Sequence, residues 1–360
     1  MSDEFVLMKG NEALAEAAIR SGVDAYFGYP ITPQSEVIEY LMTEQPEKRT
    51  GMVVLQAESE IASINMVYGA AGAGKKVMTS SSSPGISLKQ EGISYLAGAE
   101  LPCLVVNVVR AGPGLGTIQP GQSDYFQAVK GGGHGDYRLI VLAPSTVQEM
   151  ADFVPLAFDL AFKYRNPAMI LSDGAIGQMM EKVKLPPQRP RLTDEEIIEK
   201  YGDWATTGKK GRERNIITSL ALKPEVMERH NLHLQEKYRE ISRNEVRYEM
   251  LDGDDAEYFI VAYGTSARIS QKTVQLARRE GIKLGIIRPI TLWPFPSEII
   301  GQMAERVKGF LTVELNAGQM VEDVRLAANG RVPVHHFGRM GGMIPTPSEV
   351  LEAFKREFNL

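Results

Sequence analysis

The chain has 360 residues and a formal net charge of −5, with 43% hydrophobic and 24% charged residues. This length suits two domains, and the composition is that of a globular protein rather than a disordered or fibrous one. The charge excludes a basic surface for nucleic acid, and the longest apolar runs, such as 101–109, are too short to cross a membrane. The start Met1-Ser2-Asp3-Glu4 lacks the features of a secretory signal, which predicts a cytoplasmic protein.

Cys103 is the only cysteine of the sequence. A disulfide, a multi-thiolate zinc site or an iron-sulfur cluster held by this chain alone would each need several thiolates. The apolar neighbours of Cys103 predict a packing role in a buried strand. His134 has no second His or Cys at ligand spacing, so we expect a loop or interface residue and no metal site.

Residues 1–184 alternate short apolar runs with longer periodic segments, which is typical of strand-helix-strand units around a parallel sheet. Asn11 is predicted to cap the first helix, and a second clear helix covers Gln148–Tyr164. The predicted strands are 25–27, 53–55, 77–79, 104–109, 139–141 and 168–171. The pattern predicts a doubly wound α/β domain with a parallel sheet.

The character of the sequence changes at residue 185. Residues 185–255 contain a Pro-rich, charged stretch and then a long exposed helix over Pro224–Glu249, which together predict a linker. From 256 to 360 the alternating pattern returns and predicts a second, smaller α/β domain. Its predicted strands are 259–262, 284–287 and 309–313, and its predicted helices are 267–280 and 298–307.

Two motifs imitate well-known sites. Gly69–Lys76 has the G-x-x-x-x-G-K spacing of a phosphate-binding loop, but Lys76 stands where Ser or Thr is required, and a helical stretch precedes it. A helix end packed on the sheet is the preferred interpretation. Asp173-Gly174 and Asp252–Asp255 contain parts of the Gly-Asp-Gly signature of magnesium-diphosphate sites, yet both are incomplete and are predicted to be turns.

Polar side chains follow four successive predicted strands. Gly28–Pro33, Gln56–Glu60, Thr79–Gly85 and Arg110–Gly114 bring hydroxyls, two carboxylates, glycines and an arginine. The carboxyl ends of parallel strands meet at one edge of a sheet, which is where ligands of doubly wound folds bind. A buried site at this edge is therefore predicted, and turns and helix caps are the alternative.

These segments resemble the pyrimidine-binding subunit of the 2-oxoacid:ferredoxin oxidoreductases. The likeness covers essentially the whole chain and is nearest to the 3-methyl-2-oxobutanoate (branched-chain) subunit, with the 2-oxoglutarate subunit next. It implies a pyrimidine-binding domain followed by a transketolase C-terminal-like domain. The further segments that carry it are Ser83–Leu88, Gln119–Asp124, Arg288–Pro296 and Glu314–Gln319.

The resemblance also implies roles for individual residues. Glu60 is the carboxyl group that activates thiamine diphosphate through its aminopyrimidine ring, with Glu58 as the alternative; either could instead be a carboxylate that favours a helix start. Pro30, Ser83 and Gly85 are the further cofactor-binding residues. Thr32, Arg110 and Ile31 are the substrate-binding residues, and Arg110 has a competing role as a salt-bridge partner between subunits.

The implied reaction is the CoA-dependent oxidative decarboxylation of a 2-oxoacid with reduction of ferredoxin. Because one cysteine binds no cluster, the reaction requires a ferredoxin-like cluster subunit. Because the magnesium-diphosphate signature is incomplete, the reaction also requires a β-type partner that holds the cofactor's diphosphate and Mg²⁺. The resemblance adds a γ-type subunit. The alternatives are a non-catalytic scaffold subunit and a phosphate-loop nucleotidase. Branched-chain substrates, 2-oxoglutarate and pyruvate remain open.

Overall fold

The computed structural model of the protein describes residues 5–360, so Met1–Glu4, on which the prediction of no secretory signal rests, lie outside it. The strands of the first part are β1 (Phe5–Lys9), β2 (Ala25–Gly28), β3 (Val53–Gln56), β4 (Val77–Ser81), β5 (Leu104–Val109), β6 (Ile140–Leu142), β7 (Ala168–Asp173) and β8 (Met180–Lys184). Its helices are α1 (Gly10–Arg20), α2 (Ser35–Glu44), α3 (Pro46–Arg49), α4 (Glu60–Gly72), α5 (Ser83–Gly98), α6 (Tyr125–Val129), α7 (Val147–Tyr164), α8 (Gly174–Gln178) and α9 (Asp194–Tyr201).

A long helix leads into the second part. This helix is α10 (Pro224–Asn244), and it is followed by β9 (Tyr248–Leu251), β10 (Tyr258–Val261), α11 (Gly264–Arg279), β11 (Leu284–Pro289), β12 (Thr291–Trp293), α12 (Ser297–Met303), β13 (Gly309–Glu314), α13 (Met320–Ala328), β14 (Val334–Gly338) and α14 (Pro347–Phe358). No helix within residues 5–360 combines the length and the apolar character needed to cross a membrane.

Within the described chain, the larger sheet has seven strands in the order β12-β6-β7-β5-β4-β2-β3. All neighbouring strands are parallel except the pair β12 and β6. The central strand β5 is buried along its whole length, and its sequence LVVNVV is the apolar, β-branched run expected of a strand covered on both faces. The chain moves from β2 to β3 on one side and returns to β4 on the other, so the strand order reverses between β2 and β4. A crevice for a ligand opens at the carboxyl ends of such a pair.

The second sheet has five strands in the described residues, in the order β14-β13-β10-β11-β9. Only β9 among these is antiparallel to its neighbour. This strand lies inside the range predicted as linker and long helix, so part of that range belongs to the second sheet. Its pairing with β11 depends on residues far apart in the sequence, which is why the local pattern missed it.

The two sheets are joined by strand pairing and by buried polar contacts. The antiparallel pairing of β12 with β6 adds a strand from the second part to the first sheet. Gln122 of the first part also forms hydrogen bonds with the second part. Its side-chain nitrogen donates to the Tyr263 carbonyl at 2.9 Å, and its side-chain oxygen accepts from the Ser266 hydroxyl at 2.8 Å and the Leu315 N–H at 3.0 Å. The packing of the two units is therefore fixed by directional contacts as well as by apolar burial.

Two local predictions were wrong. The N-cap of α1 is Lys9, and Asn11 lies inside the helix, where its side chain donates to the Pro33 carbonyl at 2.8 Å. Asp173 is not in a turn, because it ends β7 and caps α8, and it also accepts hydrogen bonds from the Thr265 N–H and hydroxyl at 2.8 and 2.6 Å. In both cases the side chain forms a hydrogen bond with a residue distant in the sequence, Pro33 for Asn11 and Thr265 for Asp173, which a local pattern does not reveal.

The prediction that the glycine-rich segment Gly69–Lys76 contains the end of a helix is confirmed. Helix α4 ends at Gly72, and β4 begins at Val77, so the helix precedes the strand. A phosphate-binding loop requires the opposite order. The nucleotidase alternative therefore has no structural basis in this segment.

Candidate functional site

Glu60 is the first residue of α4 and lies at the carboxyl edge of the sheet. The Ser59 hydroxyl caps the helix by accepting a hydrogen bond from the Ala62 N–H at 3.2 Å. The Glu60 side chain is only 6% exposed, whereas Glu58 is exposed. The Glu60 carboxylate accepts no hydrogen bond from residues 5–360. A buried carboxylate without a donor is costly, so a ligand or partner group is expected to satisfy it.

Gly85, in the first turn of α5, packs directly against this carboxyl. A Cβ atom at Gly85 would lie 2.6 Å from Glu60 Oε1 and 2.0 Å from the Ser81 hydroxyl oxygen. Only glycine fits so close an approach. The first turn of α5 is thus held against Glu60, and any side chain at residue 85 would displace it.

Further buried polar atoms at the same edge lack partners. The hydroxyls of Ser81 and Ser82, which follow one another at the end of β4, are buried and make no hydrogen bond within the described residues. The Arg110 Nε atom, just after β5, is also buried and forms no hydrogen bond within the described residues. Together with Glu60 they form a set of donors and acceptors that the protein itself leaves unpaired.

Arg110, Thr32 and Ser83 are brought together as predicted from neighbouring strand ends. The Arg110 guanidinium donates to the Thr32 carbonyl at 3.2 Å. The Ser83 hydroxyl donates to the Arg110 carbonyl at 3.0 Å and accepts from the Arg110 N–H at 3.2 Å. Arg110 is 9% exposed and has no carboxylate in ion-pair range among the residues described. Its charge is therefore free to pair with an anion from outside the chain.

Pro30 and Ile31 lie in the loop after β2 with Thr32. Pro30 is exposed and Ile31 is half-buried, as the rim of an open site would require. Sequence reasoning missed the residue that holds this loop: the Gln34 side chain donates to the Tyr29 carbonyl at 3.1 Å and accepts from the Ser80 hydroxyl at 2.5 Å. No local pattern marks Gln34, because one of its partners, Ser80, comes from the neighbouring strand β4.

Lys89 is the other residue that sequence reasoning missed. It lies on the inner face of α5 with no exposed surface, beside Ser63, Thr79 and the backbone of Glu60. A signal was present, because Lys89 occupies a position in line with the buried Ile86 and Ile93 on one face of the helix. A lysine at such a position departs from the apolar pattern.

A cavity of about 440 Å³ adjoins the site between the two units. Ser83, Asp124, Asn316 and Met340 are among its lining residues. Burial raises the pKa of the Asp124 carboxyl, against the lowering effect of its hydrogen bonds with Asn107 and Ser83. A cavity of about 800 Å³ also exists elsewhere, around Trp293, but it contains none of the predicted site residues.

The residues present fit the pyrimidine end of thiamine diphosphate. The unpaired Glu60 carboxyl lies near the unpaired Ser81 hydroxyl, and the glycine at residue 85 keeps the space beside them free of a side chain. Residues 5–360 contain no group of three or more His, Cys, Asp or Glu side chains that could hold a metal ion. Cys103 is buried, and burial raises the pKa of its thiol to about 12.

Comparison with known proteins identifies the class. Residues 16–250 match the family model described as pyruvate flavodoxin/ferredoxin oxidoreductase, thiamine-diphosphate-binding, and residues 256–350 match core domain II of pyruvate:ferredoxin oxidoreductase. The chain belongs to this family of oxidoreductase subunits. The resemblance on which the sequence predictions rest is thereby confirmed.

The individual relatives narrow the comparison. The chain is 51% identical to the ketoisovalerate oxidoreductase subunit VorB of Methanothermobacter thermautotrophicus, over 97% of both chains. It is 36% identical to the 2-oxoglutarate synthase subunit KorA of Methanothermobacter marburgensis, over 98% of both. The relation to the branched-chain subunit is thus nearer than that to the 2-oxoglutarate subunit, as predicted.

Solved structures confirm the α/β fold. The 2-oxoglutarate:ferredoxin oxidoreductase from Magnetococcus marinus, with 2-oxoglutarate, coenzyme A and succinyl-CoA bound, superposes with a TM-score of 0.87 at 28% identity. That match covers 98% of this chain and 65% of the other. A split-gene transketolase, in an inactive beta4 tetramer, shares the fold with a TM-score of 0.61 at 13% identity, over 98% and 99% of the two chains.

Proposed function

We propose that this chain is the subunit of a thiamine-diphosphate-dependent 2-oxoacid:ferredoxin oxidoreductase that binds and activates the cofactor's aminopyrimidine ring. The proposed reaction converts 3-methyl-2-oxobutanoate to isobutanoyl-CoA with reduction of ferredoxin, and 2-oxoglutarate is the alternative substrate. The observation that carries the proposal is the buried Glu60 carboxylate, which no donor of the described chain satisfies. The name of the relative at 51% identity supports the branched-chain substrate.

In this proposal Glu60 shares a proton with the aminopyrimidine ring, and the bound cofactor supplies the nucleophilic carbon that adds to the 2-oxo group. The exposure of Glu58 favours Glu60 over Glu58 for this role. Pro30, Ser83 and Gly85 form the walls of the cofactor site. Gly85 has the clearest reason, since any side chain there would meet Glu60.

Arg110 binds the substrate carboxylate, and Thr32 and Ile31 complete the substrate contact. The buried guanidinium has no carboxylate partner in residues 5–360, which supports this role. A salt bridge to a partner subunit would use the same free charge. The two roles are separable, because loss of substrate binding raises KM while loss of an interface contact weakens assembly.

Partner subunits complete the enzyme. We propose that a β-type subunit holds the diphosphate and Mg²⁺, and that a γ-type subunit and a ferredoxin-like cluster subunit provide the remaining parts, all in the cytoplasm. Exposed apolar side chains on the elements that frame the site support a covering partner: Ile61 is 53% exposed, Leu88 50%, Leu115 83% and Ile118 60%. Residues 1–184 and 256–360 are the two proposed domains, joined by 185–255.

The direct test compares Glu60→Gln with the matched control Glu58→Gln in the purified complex. General acid-base groups contribute roughly 100- to 10,000-fold. Glu60→Gln is therefore expected to assemble normally and to lose at least about 100-fold of the 2-oxoacid-dependent reduction of a viologen dye. Glu58→Gln should keep its activity. Near-normal rates in Glu60→Gln would refute the assignment.

A substrate panel settles the remaining choice. The native complex is assayed for kcat/KM with 3-methyl-2-oxobutanoate, 2-oxoglutarate and pyruvate. We expect the branched-chain acid to be preferred. If the partner subunits without this chain were as active as the complete complex, the scaffold alternative would be favoured instead.

A further inference from the structure

Lys89 is a fully buried lysine beside the proposed cofactor site. Its ammonium group donates to the hydroxyls of Ser63 and Thr79, the latter at 3.1 Å, and lies 3.5 Å from the Glu60 carbonyl. These partners belong to the first turn of α4 and to β4, while Lys89 itself comes from α5. No carboxylate of residues 5–360 forms an ion pair with it.

This position is unfavourable for a charged lysine. Burial lowers the pKa of Lys89 to about 7, and only the negative charge of Glu60 acts in the opposite direction. The positive end of the α4 macrodipole also lies at this turn and disfavours a cation. An apolar side chain of similar volume would avoid both costs, so stability alone does not explain the lysine.

We propose that Lys89 is a positioning residue for Glu60: it ties the turn that carries Glu60 to β4 and α5, and its ammonium group lies beside the residue whose carboxyl shares a proton with the aminopyrimidine ring. The inference depends on the role of Glu60 proposed above. The geometry supports it, because the ammonium group contacts the backbone of Glu60 itself and the side chain one turn further along α4.

Other titratable groups surround α5, and none of those within residues 5–360 contributes to the lowered pKa of Lys89. They are Tyr68 on α4, Arg110 and Asp124 after β5, Glu91 and Tyr95 on the outer face of α5, and Tyr137, His134 and His230 from the loops and the helix packed near its end. Glu60 is therefore the charged group through which a change at Lys89 is transmitted.

The experiment measures binding of thiamine diphosphate to the assembled complex by isothermal titration across pH 5–9, in buffers of different ionisation enthalpy to count protons. A carboxylate that loses a nearby cation takes up its proton at higher pH. Lys89→Met is therefore expected to move the midpoint of proton-linked binding upward by about one pH unit. Lys89→Arg, which keeps the charge, should retain the wild-type midpoint or lower it.

Lys76→Met is the matched control. Lys76 directly precedes β4 at the opposite end of that strand, donates to the Ser21 carbonyl at 2.8 Å, and also has a pKa lowered by burial. Its removal should leave the midpoint unchanged. An unchanged midpoint in an assembled Lys89→Met complex would overturn the proposal.

Two further measurements keep the test decisive. If Lys89→Met does not assemble, Lys89→Arg decides the question, and an upward shift of its midpoint overturns the inference. Glu60→Gln separates the proposed role of Glu60 from the proposed role of Lys89, because it should abolish the proton linkage of thiamine diphosphate binding. If Glu60→Gln keeps the proton linkage of the wild type, the proposed role of Glu60 is wrong. If Glu60→Gln loses the linkage but Lys89→Met leaves the midpoint unchanged, only the proposed role of Lys89 is refuted.

Discussion

Gln122→Ala is expected to loosen the contact between the two units. Truncation leaves two buried polar groups of the described chain unpaired, the Ser266 hydroxyl and the Leu315 N–H, whereas the Tyr263 carbonyl keeps its hydrogen bond from the Ala267 N–H at 3.1 Å. Each unpaired group costs about 1–3 kcal/mol. The expected loss is therefore roughly 2–6 kcal/mol, a large part of the ~5–15 kcal/mol by which a typical protein is stable.

Urea denaturation followed by circular dichroism measures this loss. Gln302 is exposed and serves as the control, because Gln302→Ala should change the free energy of unfolding by no more than about 0.5 kcal/mol. Gln122→Met has a similar volume but no polar atoms, so it should remain as unstable as Gln122→Ala. A loss below about 1 kcal/mol in Gln122→Ala, or full recovery with methionine, would refute the reasoning.

Two further predictions follow from buried titratable groups. Burial lowers the pKa of Lys89 from 10.5 to about 7, so between these values the unfolded chain binds a proton that the folded chain lacks. Stability should rise with pH through this window, by at most roughly 5 kcal/mol, and Lys89→Met should remove the rise in denaturation series at pH 7 and 9.5; a parallel dependence in both proteins would contradict this. The thiol of Cys103, whose pKa burial raises to about 12, should not react with a disulfide reagent at pH 8 in the native protein and should react fully in urea.

Much of the site could be predicted from the sequence because parallel strands place their carboxyl ends at one edge. Arg110, Thr32 and Ser83 stand at three different strand ends, and the structure does bring them into contact. The choice between Glu58 and Glu60 was not available at that level. Both carboxylates follow β3 two residues apart, and only the start of α4 at Glu60 turns one inward and leaves the other exposed.

The local hydrophobic pattern by itself predicted strands such as β5 and helices such as α7, because burial of β5 or of one face of α7 depends on residues close in sequence. Tertiary structure alone decided the pairing of β12 with β6, the contacts of Gln122 and the burial of Lys89. Each of these joins groups that are distant along the chain. Their geometry exists only after the sheet has formed, so no local period or spacing records it.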